Sequence, residues 1–300
     1  MNEKLIEKET YIASSAISEG EAYIDIETTG FSYRADIISV SLAKYFNGKK
    51  IYVKQLLATE KASEKLMLQK FLTEIIGAKT IIGYNSDSFD LPRLRKKITG
   101  CRLPDILKDI DSFDIYKYLK TMGAYFGMRS LKLQDVETFM GIERNEDFDY
   151  NRLKNFYKAE TDTILAENIL KHNLNDILNL TQIKKRLFDV LSLKSFELKD
   201  AEIYLFFVSI EDSKIRFEFN SKVPLIKAEY FYKDSDRIII KKNRIIYIAE
   251  CGFDENSDIY YAVKQDRLYP LIANGSLIYE NIYYLLDLLI SLSGSSTICV

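Results

Sequence analysis

Two acidic residues near the N-terminus are spaced for joint chemistry. Asp25 and Glu27 stand two residues apart in the run 22–30, which is typical of a strand that ends in a turn at Gly30. Residues two apart in a strand point to the same face, so both carboxylates share one side of the sheet. Burying two like charges requires compensation by a cation or a proton. If this pair is considered alone, an edge strand with both carboxylates in water explains the pattern better than a buried, compensated pair does.

A third acid, Asp90, stands where a predicted strand gives way to a helix. The sequence Asp90-Leu91-Pro92 is typical of a helix start, with Asp as the N-cap and Pro in the first turn. Proteins with α/β folds place ligands at such strand-to-helix junctions. An N-cap role alone also explains Asp90, and the capping and ligand-binding roles are compatible.

Helical spacing places the chain's single histidine beside a fourth acid. His172 and Asp176 are four residues apart in the predicted helix 162–191, so their side chains lie on one helical face. Histidine titrates near neutral pH, and an imidazole among carboxylates could therefore accept a proton or orient a water. Taken alone, a lone helical histidine is more often a satisfied core or surface residue.

The segments around these residues predict a sheet with crossover helices. Strand-like runs at 22–30, 36–45 and 50–57, with the turn signal Asn47-Gly48, predict three consecutive antiparallel strands. A helix at 61–76 and an apolar run at 80–84 indicate a crossover to a parallel strand. Further helices are predicted to start at Asp90 and to cover 112–120, 132–141 and 162–191.

Beyond residue 193 the pattern changes to short β-like runs. These runs cover 202–208, 214–220, 228–232, 237–240, 245–249 and 259–263, and an amphipathic helix is predicted at 280–292. The sequence therefore predicts two domains, 1–193 with the acidic residues and 194–300 as a smaller β-rich domain of unknown role.

Composition restricts the possible classes of protein. The chain has 300 residues, 47% of them hydrophobic, and a net charge of −2, which fits a globular protein without the positive excess common in polyanion-binding proteins. Cys101, Cys251 and Cys299 are too widely spaced to support a disulfide framework or a zinc site. With no export signal and no membrane span in the sequence, we expect a cytoplasmic protein that does not bind membranes.

Two local basic groups are candidates for nucleic-acid contact. The first lies at the predicted helix after Asp90 and the second near the end of the long helix, and a solvated helix face is the better explanation for either one alone. Their members are Arg93, Arg95, Lys96, Lys97 and Arg102, and then Lys184, Lys185 and Arg186.

Three motifs in order carry a family resemblance. They are Asp-Ile-Glu-Thr-Thr-Gly at 25–30, Tyr-Asn-Ser-Asp-Ser-Phe-Asp-Leu-Pro at 84–92 and His-Asn-Leu-Asn-Asp at 172–176. Together they resemble the exonuclease motifs of DEDD-type 3′–5′ exonucleases, and more narrowly the YprB-like ribonuclease H-like group. Segments 130–137 and 141–144 are also similar to that family, and the resemblance covers roughly residues 20–190. His172 stands where many proofreading relatives have Tyr, which leaves the role of its ring open.

The resemblance implies a fold, an activity and a set of site residues. The fold would be α/β, a ribonuclease H-like mixed sheet flanked by helices and followed by the β-rich domain. The activity would be metal-dependent 3′–5′ exonucleolytic hydrolysis of phosphodiester bonds by a two-metal-ion mechanism, with a single-stranded 3′ end as the favoured substrate. A structure-selective endonuclease and an inactive nucleic-acid-binding module remain alternatives, and the sequence does not choose between DNA and RNA.

Specific roles follow from the matched motif positions. The implied ligands of two Mg²⁺ or Mn²⁺ ions are Asp25, Glu27, Asp90 and Asp176. His172 would act as general base or orient the attacking water. The implied substrate-binding residues are Thr28, Phe31 and Asn85, of which Phe31 and Asn85 are equally well explained by packing and by turn formation.

Overall fold

A six-stranded mixed sheet forms the centre of the N-terminal part of the chain. The computed structural model describes residues 4–14, 16–144, 148–157, 163–231, 236–294 and 297–299. The strands of this sheet are β1 (Leu5–Ala13), β2 (Glu21–Thr28), β3 (Ile37–Asn47), β4 (Lys50–Ala58), β5 (Thr80–Gly83) and β6 (Asp111–Asp114). They lie in the order β1-β4-β3-β2-β5-β6. The first four pair antiparallel, whereas β5 pairs parallel with β2 and β6 parallel with β5.

The helices follow the predicted crossover pattern. They are α1 (Glu64–Glu74), α2 (Asp90–Gly100), α3 (Ile115–Met122), α4 (Leu133–Phe139), α5 (Thr163–Ser192) and α6 (Tyr279–Leu292). Short 3-10 helices cover Lys61–Ser63, Ile106–Asp109, Gly123–Phe126 and Tyr150–Asn155. None of the helices in the described ranges combines the length and the apolarity needed to cross a membrane.

The two faces of the sheet are covered by different helices. On one face, buried side chains of β2, β3 and β4 pack against α1 and α2, with Phe71 and Leu94 among the contacts. On the other face, Leu57 packs against α5 residues such as Ile169. Leu56 belongs to the first cluster and Leu57 to the second, as alternation along β4 requires. The α/β class with a helix-flanked mixed sheet is thereby confirmed.

The C-terminal part is β-rich. One six-stranded sheet has the order β10-β11-β12-β9-β8-β7 and a four-stranded sheet the order β13-β14-β15-β16. The strands of the larger sheet are β7 (Ser195–Leu198), β8 (Ala201–Glu211), β9 (Lys214–Ser221), β10 (Ala228–Phe231), β11 (Arg237–Lys241) and β12 (Arg244–Glu250). Those of the smaller sheet are β13 (Gly252–Asp254), β14 (Ile259–Lys264), β15 (Arg267–Ala273) and β16 (Ser276–Leu277).

The described residues fall into two compact units. One lies within Met1–Tyr118 and Ser130–Arg186, and the other within Leu119–Arg129 and Leu187–Val300. The inclusion of 119–129 in the second unit has no signal in the sequence. The domain boundary after residue 193 stays a prediction.

The sequence prediction differs from the structure at two strands of the N-terminal sheet, and each difference has a physical cause. Residues 112–114 were predicted to be helical but form β6, because they pair with Ile81–Gly83 in a parallel ladder. Strand β1 was not predicted, since its charged residues hide the alternation that marks a buried strand; it lies at the edge of the sheet beside β4. Residues 162 and 232, at the ends of two predicted elements, lie outside the described residues.

The core around Phe71 predicts a large loss of stability on truncation. Phe71 is 1% exposed and Ile76, just beyond the same helix, is 70% exposed. Phe71→Ala should therefore lower the free energy of unfolding by about 3–5 kcal/mol, whereas Ile76→Ala should change it by less than about 0.5 kcal/mol. Urea unfolding of both variants measures the difference, and equal losses would contradict the described packing.

Candidate active site

Four carboxylates from three elements line one cavity beside the C-terminal end of β2. Asp25 and Glu27 come from β2, Asp90 from the start of α2, and Asp176 from α5. The cavity has a volume of about 300 Å³. Residues far apart in the sequence are thus brought to one small space.

Strand register explains how α5 reaches the acids of β2. Asp25 pairs with Ser41 and Glu27 with Ser39 on the neighbouring strand β3, so the two serines lie beside the two acids. The side-chain oxygen of Asn173 accepts hydrogen bonds from both serine hydroxyls. The amide nitrogen of Asn173 donates to Oδ2 of Asp25. Asn173 therefore fixes α5 and Asp25 to each other.

A tight turn before α2 positions Asp90. Asn85 has a φ of 58°, a left-handed conformation that Asn tolerates better than most residues. Asp114 at the end of β6 accepts hydrogen bonds from the backbone N–H groups of Asn85 at 2.8 Å and of Asp87 at 3.0 Å. The loop between β5 and α2 is thereby held by a buried carboxylate.

Asp90 does not cap α2, contrary to the sequence prediction. The helix begins at Asp90 and its N-cap is Phe89, which makes no side-chain capping hydrogen bond. Oδ1 of Asp90 instead accepts a hydrogen bond of 3.2 Å from the backbone N–H of Ile26 in β2. The carboxylate therefore points toward β2 and the other acids.

His172 lies behind the carboxylates on the buried face of α5. Its Nε2 is 3.4 Å from Oε1 of Glu27 and 3.5 Å from Oδ2 of Asp176. Each of these three residues offers a metal-ligating atom within 4.8 Å of the other two. Asp25 and Asp90 line the cavity together with Glu27 and Asp176. Among the described residues, however, they do not belong to this group of three potential ligands.

Arg144 is a cationic partner of the site that sequence reasoning missed. Its guanidinium group bonds to Oδ1 of Asp176 and makes a two-point ion pair with Glu137, at 2.8 and 2.7 Å. Glu137 is 1% exposed and also accepts a 2.9 Å hydrogen bond from Asn179. The only sequence signal was the place of Arg144 in segment 141–144, which resembles the family but carries no predicted role.

The three predicted substrate-binding residues line the cavity with the acids. Thr28 donates a 2.8 Å hydrogen bond to the carbonyl of Gly30, which closes the turn after β2. Phe31, in the same turn, is 82% exposed, and its carbonyl accepts a 2.6 Å hydrogen bond from Arg93. The lining of the acidic cavity thus includes an exposed aromatic ring and the turn of Asn85.

Basic residues noted in the sequence are largely engaged within the protein. Arg95 pairs with Asp105 at 2.9 Å, and Lys97 also pairs with carboxylates. Near the end of the long helix, Lys184 pairs with Glu21 at 2.6 Å. These contacts favour a structural role for most of the two basic groups.

Comparison with known proteins places this architecture in a family. A model described as the RNase_H superfamily matches residues 22–188. The chain belongs to the RNase_H superfamily. This span contains all of the acids of the cavity, and membership of a nuclease superfamily supports nuclease activity.

Solved structures are similar to this RNase_H superfamily member over part of its length. One is the family B DNA polymerase from the hyperthermophilic archaeon Pyrobaculum calidifontis, with 16% identity and a TM-score of 0.45, covering 57% of this chain and 25% of the polymerase chain. Another is the zinc-ion-bound E. coli ExoI–ssDNA complex, with 10% identity and a TM-score of 0.39, covering 66% of this chain and 53% of the ExoI chain. The chain thus spans a quarter of the first protein and about half of the second. No curated protein sequence matches the chain.

The electrostatics of the cavity favour binding of cations. Burial and the charges of Asp176, Glu27 and Asp90 raise the pKa of Asp25 well above its usual range. Burial also raises the pKa of Asp176, although His172 and Arg144 oppose the shift. Hard carboxylate oxygens in a cavity of excess negative charge fit the donor set that Mg²⁺ and Mn²⁺ prefer.

Divalent cations should stabilise the folded RNase_H domain, because they relieve this repulsion. At about 100 times the dissociation constant, Mg²⁺ or Mn²⁺ should raise the free energy of unfolding by about 2.7 kcal/mol. Thermal unfolding with and without each ion measures the effect. Asp176→Asn should reduce the shift, whereas Asp212→Asn, at the exposed turn between β8 and β9, should retain it. A melting temperature that stays flat in both titrations would count against the metal site.

The stability of the metal-free protein should depend on pH through Asp90. Burial raises the pKa of Asp90 to about 7, compared with about 3.9 in an unfolded chain. Between these pH values the folded state binds the proton more tightly, so the free energy of unfolding falls as pH rises through this window. Asp90→Asn cannot ionise and should show a smaller fall in urea unfolding with a chelator present. An unchanged pH profile in this variant would assign the effect to other groups.

Proposed function

We propose that this RNase_H superfamily member is a metal-dependent 3′–5′ exonuclease of the DEDD type, in the YprB-like group. One observation carries the proposal: acids from β2, α2 and α5 line a single cavity together with an exposed aromatic ring. Since two or more buried acids at one place are costly without compensation, their convergence supports a cation-binding role.

Two Mg²⁺ or Mn²⁺ ions are the proposed cofactors. Their proposed ligands are Asp25, Glu27, Asp90 and Asp176. When bound, such a pair of ions activates the attacking water and stabilises the departing 3′-oxygen. The chain's own contribution is to hold these carboxylates in fixed directions, which Asn173, the N–H of Ile26 and Arg144 do through the hydrogen bonds described above.

A single-stranded 3′ end is the proposed substrate. Phe31 offers an exposed ring at the cavity, and stacking of a base on an aromatic side chain contributes about 1–3 kcal/mol. Thr28 and Asn85 would contact the terminal nucleotide from the two turns that border the cavity.

The nuclease domain is proposed to end at residue 193. The β-rich part, 194–300, would then be a second domain of the same protein. All of the proposed site residues precede this second domain in the sequence.

The deciding experiment is a degradation assay with matched DNA and RNA, single- and double-stranded, labelled at the 5′ end. Stepwise shortening from the 3′ end that requires Mg²⁺ or Mn²⁺ is expected. Asp25→Asn should abolish cleavage while leaving the fold intact, because an amide is a poor replacement for an anionic ligand. Asp212→Asn makes the same chemical change at an exposed turn and should keep wild-type activity.

Three outcomes would redirect or revise the proposal. Cleavage of strands with a blocked 3′ terminus would identify an endonuclease on the same fold. Binding without cleavage under any metal would indicate an inactive nucleic-acid-binding module. Cleavage retained by Asp25→Asn would remove that residue from the mechanism.

A further inference from the structure

The ring of His172 is too deeply buried for direct contact with a substrate in the cavity. The residue is 1% exposed, and its ring stacks on Phe148 at a centroid distance of 4.2 Å and an interplanar angle of 4°. His172 is not one of the described residues that line the acidic cavity. A water or phosphate oxygen inside the cavity therefore meets other side chains before it meets this ring.

Tyr150 lies between His172 and the cavity. It belongs to the 3-10 helix Tyr150–Asn155 and lines the cavity together with Asp25, Glu27 and Asp176. Its hydroxyl oxygen is 2.9 Å from Nε2 of His172, in a hydrogen bond between the two side chains. The rings meet edge to face, with centroids 5.3 Å apart and an interplanar angle of 82°.

We propose that Tyr150 is a catalytic residue of this site and that His172 is the positioning residue behind it. The Tyr150 hydroxyl hydrogen-bonds the attacking water or a phosphate oxygen in the cavity, and His172 fixes the direction of that hydroxyl. This inference rests on the proposed nuclease function and assigns to Tyr150 the contact that the sequence assigned to His172.

The chemistry of a phenol suits this place. A neutral hydroxyl donates one hydrogen bond and accepts others, so it can bridge His172 and a ligand at the same time. A tyrosine side chain has an ordinary pKa of about 10, so its hydroxyl is protonated at neutral pH and can donate. The stacking on Phe148 holds the plane of the His172 ring, and Nε2 faces Tyr150, Glu27 and Asp176 together.

The first test compares single and double variants in the cleavage assay. Tyr150→Phe should lower kcat by about tenfold to a hundredfold with little change in KM, since one transition-state hydrogen bond is lost. His172→Gln should lower kcat by no more than this, because glutamine retains a hydrogen-bonding group. The double variant should be no slower than Tyr150→Phe, since His172 acts through the hydroxyl. Losses that multiply in the double variant would show that His172 acts by a route other than the Tyr150 hydroxyl, and would overturn the proposal.

The second test does not require catalysis. His172 is the only histidine of the chain, so the imidazole nitrogen NMR signals of labelled protein belong to this one ring. Tyr150→Phe should shift the Nε2 signal. Tyr157→Phe is the matched control, because its hydroxyl bonds to the carbonyl of Ile37 in the same region, at 3.3 Å, and its loss should leave Nε2 unchanged.

The outcomes separate this inference from the proposed function. An unchanged Nε2 signal in Tyr150→Phe, or full activity in that variant beside an active wild type, would reject the role of Tyr150 and leave the nuclease proposal standing. A wild type that cleaves no nucleic acid while the Nε2 signal shifts as expected would reject the nuclease proposal, and the catalytic role of Tyr150 with it. Thermal unfolding of each variant shows whether a loss reflects the fold instead.

Discussion

Mutual repulsion of carboxylates in a confined space is the constraint on which the rest of this structure depends. Desolvation and neighbouring negative charges both disfavour the ionised forms, and the acids stay together only because the surroundings supply donors. Three of the acids accept hydrogen bonds from such donors: Asp25 from Asn173, Asp90 from the backbone of β2, and Asp176 from Arg144. A hydrogen bond at one oxygen also restricts the direction of the other oxygen, so the bonds that make the cluster tolerable also fix its geometry.

The scaffold serves this constraint by placing polar groups inside its core. The face of the sheet under α1 and α2 is apolar, whereas the face under α5 contains buried Ser39, Ser41 and Gln55. These polar groups make hydrogen bonds to α5. The two serines bond to the side chain of Asn173, and Gln55 donates a hydrogen bond of 2.6 Å to the carbonyl of Leu170. Such bonds have directions that apolar contacts lack, so they fix the rotation of α5 as well as its position. Asp176 reaches the cavity only at one rotation of that helix.

Much of the fold follows from local patterns, and much of the site does not. Alternation in β2 and β3, the Asn47-Gly48 turn and the crossover through α1 depend on neighbours in sequence, and they are predicted correctly. Strand β6 was mistaken for helix because its ladder with β5 is a tertiary contact. The bond between Asn173 and Asp25 joins residues 148 positions apart, and no periodicity encodes it. Spacing likewise places His172 on a helical face without revealing its depth, which is what decides whether a ring touches substrate.

Arg144 shows how a cation can orient an acid without fully cancelling the negative charge of the cavity. Its guanidinium group is held at two points by Glu137, a carboxylate with almost no exposure, so the two form an ion pair that is close to neutral as a unit. The pair therefore presents a directed N–H group to Asp176, and Glu137 offsets part of the positive charge that Arg144 brings to this carboxylate. Without Glu137, the charge of Arg144 would act on Asp176 undiminished. The buried acid outside the cavity thus preserves part of the negative charge of the acid inside it.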